Sequence, residues 1–497
     1  MSQIRYFVGS FSWGAFAKLI DATLKFVTVP LMLNYFGKDN YGILVLAIST
    51  NAYMDLLDMG INTGAINYFS QWIGDKQYAL IQSVSRTSMS FYLIIGIINS
   101  IILILLALFG QHLFNITQSQ FGILRTMFYT LAFYCIINWS TSVFRQLLIA
   151  DQKINFIQRI DILKSIANFA LIFVTMWCNF SLVTFFFIFL AVNSIVIIPY
   201  YLKAKSQNLI LSFIPSKDWK NFRPILLYSL SIFAMGIFQY TATQSRPIVL
   251  GIYNTIGPTI LTEYRIIEVF PLLIISIGGM MLTILLPITS RLIKQNQQEK
   301  IAEMAYNGTR LTTILMLVLG FPLIINSREV LIFYVGVGYG FLAPWLSLWI
   351  FTVILYLHNT PVASLVLSSG KTRLLVFSSA IACIFSIIIN AALCKYLGVG
   401  SAVIGYFIYI VIQMSFYYLY FNHKILRLQS FKVFKSFFIP TLIALIACVP
   451  IYLIKMDLPI LLSILIKSGI WFVIFFGFLI SFKVFEIKKT LLYFKRP

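Results

Sequence analysis

Three charged residues, Lys18, Asp21 and Lys25, lie within a stretch of sequence whose other residues are those of a membrane span. At 100° per residue on a helix, Lys18 and Lys25 are about 20° apart, and Asp21 lies about 60° to one side. The three side chains therefore share one narrow face. A narrow charged face on an otherwise apolar helix predicts that the helix lines a polar interior.

These charges need compensation within the membrane. A charge at the centre of a span costs roughly 2.5–3.5 kcal/mol, whereas each apolar residue returns only about 0.3–0.6 kcal/mol. In the next span, Asp55 and Asp58 are the predicted partners of Lys18 and Lys25. Two interpretations stay open: buried ion pairs that fix helix packing, or a hydrated cavity that holds an anionic substrate or relays a coupling ion.

A second cationic position is Arg246 in the seventh predicted span, which has no acidic residue within one helical turn. This isolation makes Arg246 the intramembrane charge least typical of a packing pair. Glu263 and Arg265 lie near the end of a span, where simple solvation is the expectation. Lys467 lies in the last span, where it either reaches the interface or serves a buried role.

The elements that must position these charges are transmembrane helices. The 497 residues are 60% hydrophobic and 10% charged, with a mean hydropathy of +0.90, which excludes an ordinary soluble domain. Fourteen apolar runs are long enough to cross a hydrocarbon core of roughly 30 Å, and they are too uniformly apolar for barrel strands. The sequence predicts an all-α polytopic membrane protein of about 14 transmembrane helices. The first run lacks a cleavage site and is predicted to be a retained helix.

Lysine and arginine placement predicts the orientation. If the amino terminus is cytoplasmic, the cytoplasmic segments contain most of the basic residues. These segments are 203–223, 291–300, 371–373, 424–435 and 483–496. Both termini are therefore predicted to be cytoplasmic. The net charge of +22 is explained by this asymmetry and by anionic lipid head groups, and it does not indicate a nucleic-acid partner.

The sequence also repeats itself weakly at an offset of about 217 residues. The matches are Pro30 with Pro247, Lys153 with Lys371, and Tyr200-Tyr201-Leu202 with Tyr417-Tyr418-Leu419. Because six spans is an even number, the two halves form a parallel repeat, and a substrate path between them is typical of transporters. The predicted domains are an N-terminal six-helix bundle (1–205), a cytoplasmic linker (206–223), a C-terminal six-helix bundle (224–423), and two further helices with a basic tail (424–497).

Other chemistry is not indicated. The five cysteines have no ligand-like spacing and are predicted to be small apolar fillers, and the three histidines are dispersed. We therefore expect no metal site and no cofactor. The sequence contains no nucleophile–base constellation, so we do not expect an enzyme.

Short motifs near the amino terminus carry a family resemblance. In "LNYFGKDNYGILVL", Gly37, Tyr41 and Gly42 match a typical outer turn, and "YMDLLDMGI" contains Asp58-Met59-Gly60. The cytoplasmic turn "GDKQ" begins at Gly74. On these motifs the chain resembles the polysaccharide transporter family of the multidrug/oligosaccharidyl-lipid/polysaccharide exporter superfamily, and within it the Wzx-type O-antigen flippases.

The resemblance implies a substrate, a mechanism and a location. Such flippases move undecaprenyl-pyrophosphate-linked oligosaccharides from the cytoplasmic to the periplasmic leaflet of the bacterial inner membrane. The resemblance thus implies a lipid-linked oligosaccharide, membrane lipids and other glycan-assembly proteins as partners. Lys18, Lys25 and Arg246 would bind the diphosphate, whereas Asp21, Asp55 and Asp58 would tune that charge or bind a coupling ion. Transport would proceed by alternating access.

Three alternatives stay open. A glycan polymerase or ligase usually needs a large outer loop, which this sequence lacks. A drug/cation antiporter of the same superfamily requires net anionic sites, and the intramembrane lysines and Arg246 argue against that. A flippase for a capsule or peptidoglycan precursor is separated from an O-antigen flippase only by resemblance.

Overall fold

The computed structural model describes residues 3–54, 58–210, 214–369, 373–453, 458–482 and 484. Within these ranges the chain forms eighteen α-helices and no β-strand, as the sequence predicts. Short 3₁₀ and π-helical segments interrupt or connect the α-helices. The helices form two compact units, one comprising residues 1–265 and 387–402 and the other residues 266–386 and 403–497.

Helices α1 to α8 belong to the first unit, and the boundary between the units falls inside α9. Their bounds are α1 (Gln3–Met54), α2 (Asp58–Gly74), α3 (Tyr78–Phe109), α4 (Gln118–Ala150), α5 (Ile154–Cys178), α6 (Leu182–Ile195), α7 (Ile197–Ser206), α8 (Trp219–Tyr253) and α9 (Thr259–Lys294). The remaining helices are α10 (Gln298–Glu303), α11 (Thr309–Ile325), α12 (Ser327–Val335), α13 (Ala343–Leu357), α14 (Thr360–Ser368), α15 (Arg373–Leu397), α16 (Val399–Phe416), α17 (Ser430–Leu453) and α18 (Ile460–Ser481).

Ten helical segments in the described part of the chain are long and apolar enough to cross a membrane. They coincide with ten of the fourteen predicted spans, from Tyr78–His112 to Ile460–Ser481. The other four predicted spans fall on α1, α2, α8 and α9. The chain is thus a multi-pass helical membrane protein, while the total of fourteen spans is not confirmed.

The glycines of the "FGKDNYG" motif have distinct structural roles in α1. Gly37 has a φ of 79° and a ψ of 170°, which breaks the helix where the sequence predicts a turn between two spans. At Gly42 a Cβ atom would overlap the carbonyl oxygen of Pro258, so only glycine allows this approach. Tyr41 between them is buried. The motif therefore sets the bend of α1 and its packing against the segment before α9.

The first unit is held together by close helix packing. The most extensive pairs are α3 with α4, α2 with α8, and α1 with α5. Large side chains such as Tyr92, Phe128 and Phe144 are fully buried among these helices. Since α1 also contacts α4, and α4 contacts α5, polar residues on the faces that meet are brought together.

The second unit packs α11 against α13 and α17, and α17 against α18. Trp471 of α18 is fully buried and stacks on Phe321 at 5.5 Å and on Phe475 at 4.6 Å between ring centroids. Two π-helical segments, Met304–Gly308 and Tyr417–Ile425, lie at helix junctions of this unit. The predicted bundle boundaries at 205, 223 and 423 refer to a sequence repeat and stay predictions.

Candidate functional site

The first unit contains a cavity of about 1110 Å³. Its walls come from α1, α4, α5, α6 and α7, with single residues from α8 and α9. Four cationic and two anionic side chains line it, so the described lining has a net charge of +2. These charged residues are Lys25, Arg145, Lys164 and Arg265 on the cationic side, and Asp21 and Asp161 on the anionic side.

On α1, Asp21 and Lys25 are one helical turn apart and form an ion pair of 2.8 Å between carboxylate and amine. Asp21 also accepts a hydrogen bond of 2.9 Å from the Ser165 hydroxyl of α5. The Lys25 side chain is 62% exposed, and that of Asp21 is 42% exposed. This pair is therefore exposed at the cavity wall and is not sealed between helices, which fits the cavity interpretation better than the packing interpretation.

A second charged group is centred on Asp161 of α5. Arg145 of α4 donates a hydrogen bond of 3.1 Å to this carboxylate, and the Lys164 amine lies 3.6 Å away. The Tyr200 hydroxyl of α7 donates to the other Asp161 oxygen at 3.0 Å. The Asp161 side chain is 31% exposed, and that of Arg145 is 47% exposed. One carboxylate thus connects three helices at the water-accessible wall.

Uncharged polar groups occupy much of the remaining wall. Amides and hydroxyls line the cavity together with apolar and aromatic side chains such as Phe185 and Phe189. The polar residues are Thr28, Ser49, Asn138, Ser142, Gln158, Ser165, Asn168 and Asn193. Hydroxyl and amide groups both donate and accept hydrogen bonds, as the hydroxyls of a sugar do. The wall therefore combines anion-binding groups with groups that suit a neutral polar ligand.

The predicted site residues that the structure describes do not share one environment. Asp21 and Lys25 line the cavity, and they pair with each other. Arg246 is only 5% exposed, its Nε donates to the Ala242 carbonyl of its own helix at 2.9 Å, and it is not among the residues that line the cavity. Asp55 lies outside the described residues, and so do the side chains of Lys18 and Asp58. The binding and coupling roles of all six residues stay predictions.

Arg145, Asp161, Lys164 and Tyr200 also line the cavity, although the sequence does not single them out as site residues. A signal for them was present in α5, where Gln158, Asp161, Ser165 and Asn168 recur every three or four residues in an apolar helix. That spacing places them on one face, and all four line the cavity. Arg265, for which the sequence predicts simple solvation, also lines the cavity.

Polar groups of the second unit have different surroundings. His358 is fully buried, and its Nε2 lies 2.8 Å from the Tyr418 hydroxyl. Lys467 donates to Glu329 at 2.6 Å beside a smaller cavity of about 370 Å³. Among the residues that the structure describes, no cluster of histidine, cysteine and acidic side chains suits a metal ion.

Residues 7–293 match the profile of a protein family described as polysaccharide biosynthesis protein. No curated protein matches the sequence significantly. Among solved structures, the lipid II flippase MurJ in an inward closed conformation is similar, with a TM-score of 0.72 and 13% identity over 95% of this chain and 99% of that one.

Two further structures share the fold at lower scores. One is an inward-facing multidrug resistance MATE family transporter of the MOP superfamily, with a TM-score of 0.65 and 15% identity over 85% of this chain and 99% of that one. The other is a Pyrococcus furiosus transporter of the same superfamily, described as having a binding pocket of reverse polarity. It has a TM-score of 0.53 and 15% identity over 82% of this chain and 93% of that one.

Proposed function

Since this chain belongs to the polysaccharide biosynthesis protein family, we propose that it is a flippase for a polyprenyl-diphosphate-linked oligosaccharide. The substrate of this proposal is an undecaprenyl-pyrophosphate-linked O-antigen repeat unit, which moves from the cytoplasmic to the periplasmic leaflet of a bacterial inner membrane. Both chain termini are cytoplasmic in this proposal. No covalent bond is made or broken, so the protein acts as a transporter and not as an enzyme.

The single observation that carries the proposal is the cationic cavity within the membrane-spanning helices of the first unit. Lys25, Arg145 and Lys164 are partly exposed to it, and its lining has a net charge of +2. A diphosphate has several oxygen acceptors, and an arginine guanidinium binds such groups with two parallel hydrogen bonds. Positive charge at this depth favours an anionic head group over a cationic drug.

The size and the polar lining of the cavity suit the rest of the head group. A volume of about 1110 Å³ exceeds the usual range of roughly 300–1,000 Å³ for sites that bind drug-sized molecules. The hydroxyls and amides of the wall suit the hydroxyls of sugars, while the polyprenyl tail stays in the lipid. Transport then follows alternating access, coupled to an ion that Asp21, Asp55 or Asp58 binds.

The fold similarity to MurJ favours one second candidate, a flippase for a peptidoglycan precursor, because that protein is a lipid II flippase. A capsule-precursor flippase requires the same head-group chemistry. The MATE fold similarity raises a drug/cation antiporter as well, but a lining with net positive charge opposes cationic cargo. The glycan attached to the diphosphate therefore distinguishes the principal candidates.

Deletion of the gene tests the proposal. We expect one surface glycan to disappear while its lipid-linked unit accumulates on the cytoplasmic side. Intact surface glycan with altered drug sensitivity would favour the antiporter. Cell lysis with accumulation of lipid II would favour the peptidoglycan-precursor flippase.

Complementation of the deletion strain tests the site. Arg145→Ala and Lys25→Ala at normal membrane abundance should each reduce glycan display about tenfold or more, because each removes one charge-assisted contact to the diphosphate. Arg125→Ala is the matched control, because Arg125 is an exposed residue of α4 that does not line the cavity. Normal display with Arg145→Ala would contradict the assigned site.

A further inference from the structure

The carboxylate of Asp161 occupies a special position among the charges of the cavity. It contacts Arg145 at 3.1 Å, Lys164 at 3.6 Å and the Tyr200 hydroxyl at 3.0 Å. Two of the four cationic side chains that line the cavity are therefore paired with one acid, and the group of three keeps a charge of +1. Any anionic ligand that binds Arg145 and Lys164 must compete with Asp161.

The contacts of Asp161 are exchangeable. The Arg145, Asp161 and Lys164 side chains are 47%, 31% and 33% exposed, so water reaches all three. Ion pairs with this degree of exposure contribute little to folding stability. Because their mutual attraction is screened by water, a stronger anion can separate them without exposing an unsolvated charge.

A diphosphate is such an anion. It carries more negative charge than a carboxylate, and its oxygens can contact a guanidinium and an ammonium at the same time. In the absence of the ligand, Asp161 holds Arg145 and Lys164 at the wall and limits their repulsion. A diphosphate would offer the same two cations more charge and more acceptor oxygens than Asp161 does.

We propose that Asp161 is an internal counter-anion. It holds Arg145 and Lys164 while the cavity is empty, and it releases them to the diphosphate when the substrate binds. This inference rests on the proposed function. Its consequence is kinetic as well as energetic: competition by Asp161 keeps the substrate from binding too tightly, so the head group can leave on the other side. Asp161 is thus a positioning residue that acts through its two cationic partners.

Binding of farnesyl diphosphate, a short polyprenyl diphosphate, to the purified full-length protein tests the exchange. In Asp161→Asn the competing charge is lost while the shape is kept, so we expect the dissociation constant to fall about tenfold. Asp161→Glu restores the charge and should bind like the wild type. Asp151→Asn is the matched control, because Asp151 pairs with Lys153 at 3.6 Å outside the cavity lining.

A transport assay distinguishes the proposed role of Asp161 from a purely structural one. It measures the transport of a fluorescent polyprenyl diphosphate in proteoliposomes. For Asp161→Asn we expect the half-saturating concentration and the maximal rate to fall together, because the substrate binds more tightly and leaves more slowly. A variant that is only damaged loses rate without gaining affinity. If Asp161→Asn is not recovered as a monodisperse protein, Asp161→Ser is a second neutral replacement.

The outcomes separate the two proposals. Tighter binding by the neutral variants, with wild-type binding by Asp161→Glu, supports the exchange. Unchanged or weaker binding by a folded neutral variant overturns it and leaves the flippase proposal intact. Failure of the wild type to bind farnesyl diphosphate overturns the flippase proposal itself.

Discussion

The ion pair between Lys467 and Glu329 provides a quantitative prediction about the second unit. Lys467 lies in α18, about 10 Å along the helix from its first residue, Ile460. Its amine donates to Glu329 of α12 at 2.6 Å, and the two side chains are only 17% and 28% exposed. Since α18 also contacts the α11–α12 junction through Asn326 and Ser468 at 3.1 Å, this polar patch fixes the position of the last described helix.

Removal of one partner leaves the other charge largely buried. The usual cost is roughly 3–5 kcal/mol, and we expect about 3 kcal/mol for Lys467→Met because both side chains retain some exposure. Glu329→Gln should cost a similar amount for the same reason. The double variant leaves no unpaired charge and should lose about 1 kcal/mol or less, so the coupling between the two positions should be about 5 kcal/mol.

Reversible unfolding in mixed micelles with increasing fractions of denaturing detergent provides the measurement. It gives the free energy of unfolding of the wild type, the two single variants and the double variant. Lys395→Met is a suitable control, because Lys395 is exposed, and its change should stay within about 0.5 kcal/mol. A coupling energy below about 0.5 kcal/mol would refute the reasoning. In that case Lys467 would act through its own hydration and not through Glu329.

Two further predictions concern the first unit. Gly42→Ala should destabilise it by about 1–3 kcal/mol in the same unfolding assay, because the new Cβ overlaps the Pro258 carbonyl. The control Gly122→Ala should be neutral or stabilising, because no atom lies within 4 Å of the new Cβ. Hydrogen bonds from Asn221 and Ser83 hold the pKa of Asp218 below its usual value of 3.8. The stability that Asp218 adds is therefore present above pH 3.8 and is lost as the pH falls through the lower pKa of the folded state. The free energy of unfolding of the wild type should exceed that of Asp218→Asn by less at pH 3 than at pH 7. An advantage that is equal at both pH values would contradict this assignment.

The helical class and most spans are predictable from composition, because a backbone in lipid must form its own hydrogen bonds. Ten predicted spans agree with helices of the structure. The break at Gly37 is also predictable, since a glycine precedes a polar turn between two apolar runs. The close approach of Gly42 to Pro258 is not, because it joins positions far apart in the sequence.

The candidate site was only partly predictable, for a physical reason. A helical-wheel argument applies within one helix, so it identified Asp21 and Lys25 on a common face, where the structure shows them paired. It contains no information on which helix lies opposite. The predicted partners of Lys25 on the next span, Asp55 and Asp58, have side chains outside the described residues, so that prediction stands untested. The acid that Lys25 contacts in the structure is Asp21 on its own helix, and Asp21 accepts a hydrogen bond from Ser165 of α5.

The same reasoning applies to the isolated arginine and the overlooked acid. Arg246 lacks an acidic neighbour within a turn, which favours a ligand, but its guanidinium is buried and reaches a carbonyl of its own helix. Asp161 and Lys164 are neighbours on one helix and look like a local pair, but their side chains are open to water at a wall shared with Arg145 of another helix. Isolation along one helix therefore does not predict whether a charged side chain is exposed to a cavity. Partly exposed pairs at the cavity wall are the ones that a ligand can take over, and among the described residues these are Asp21 with Lys25 and Asp161 with Arg145 and Lys164.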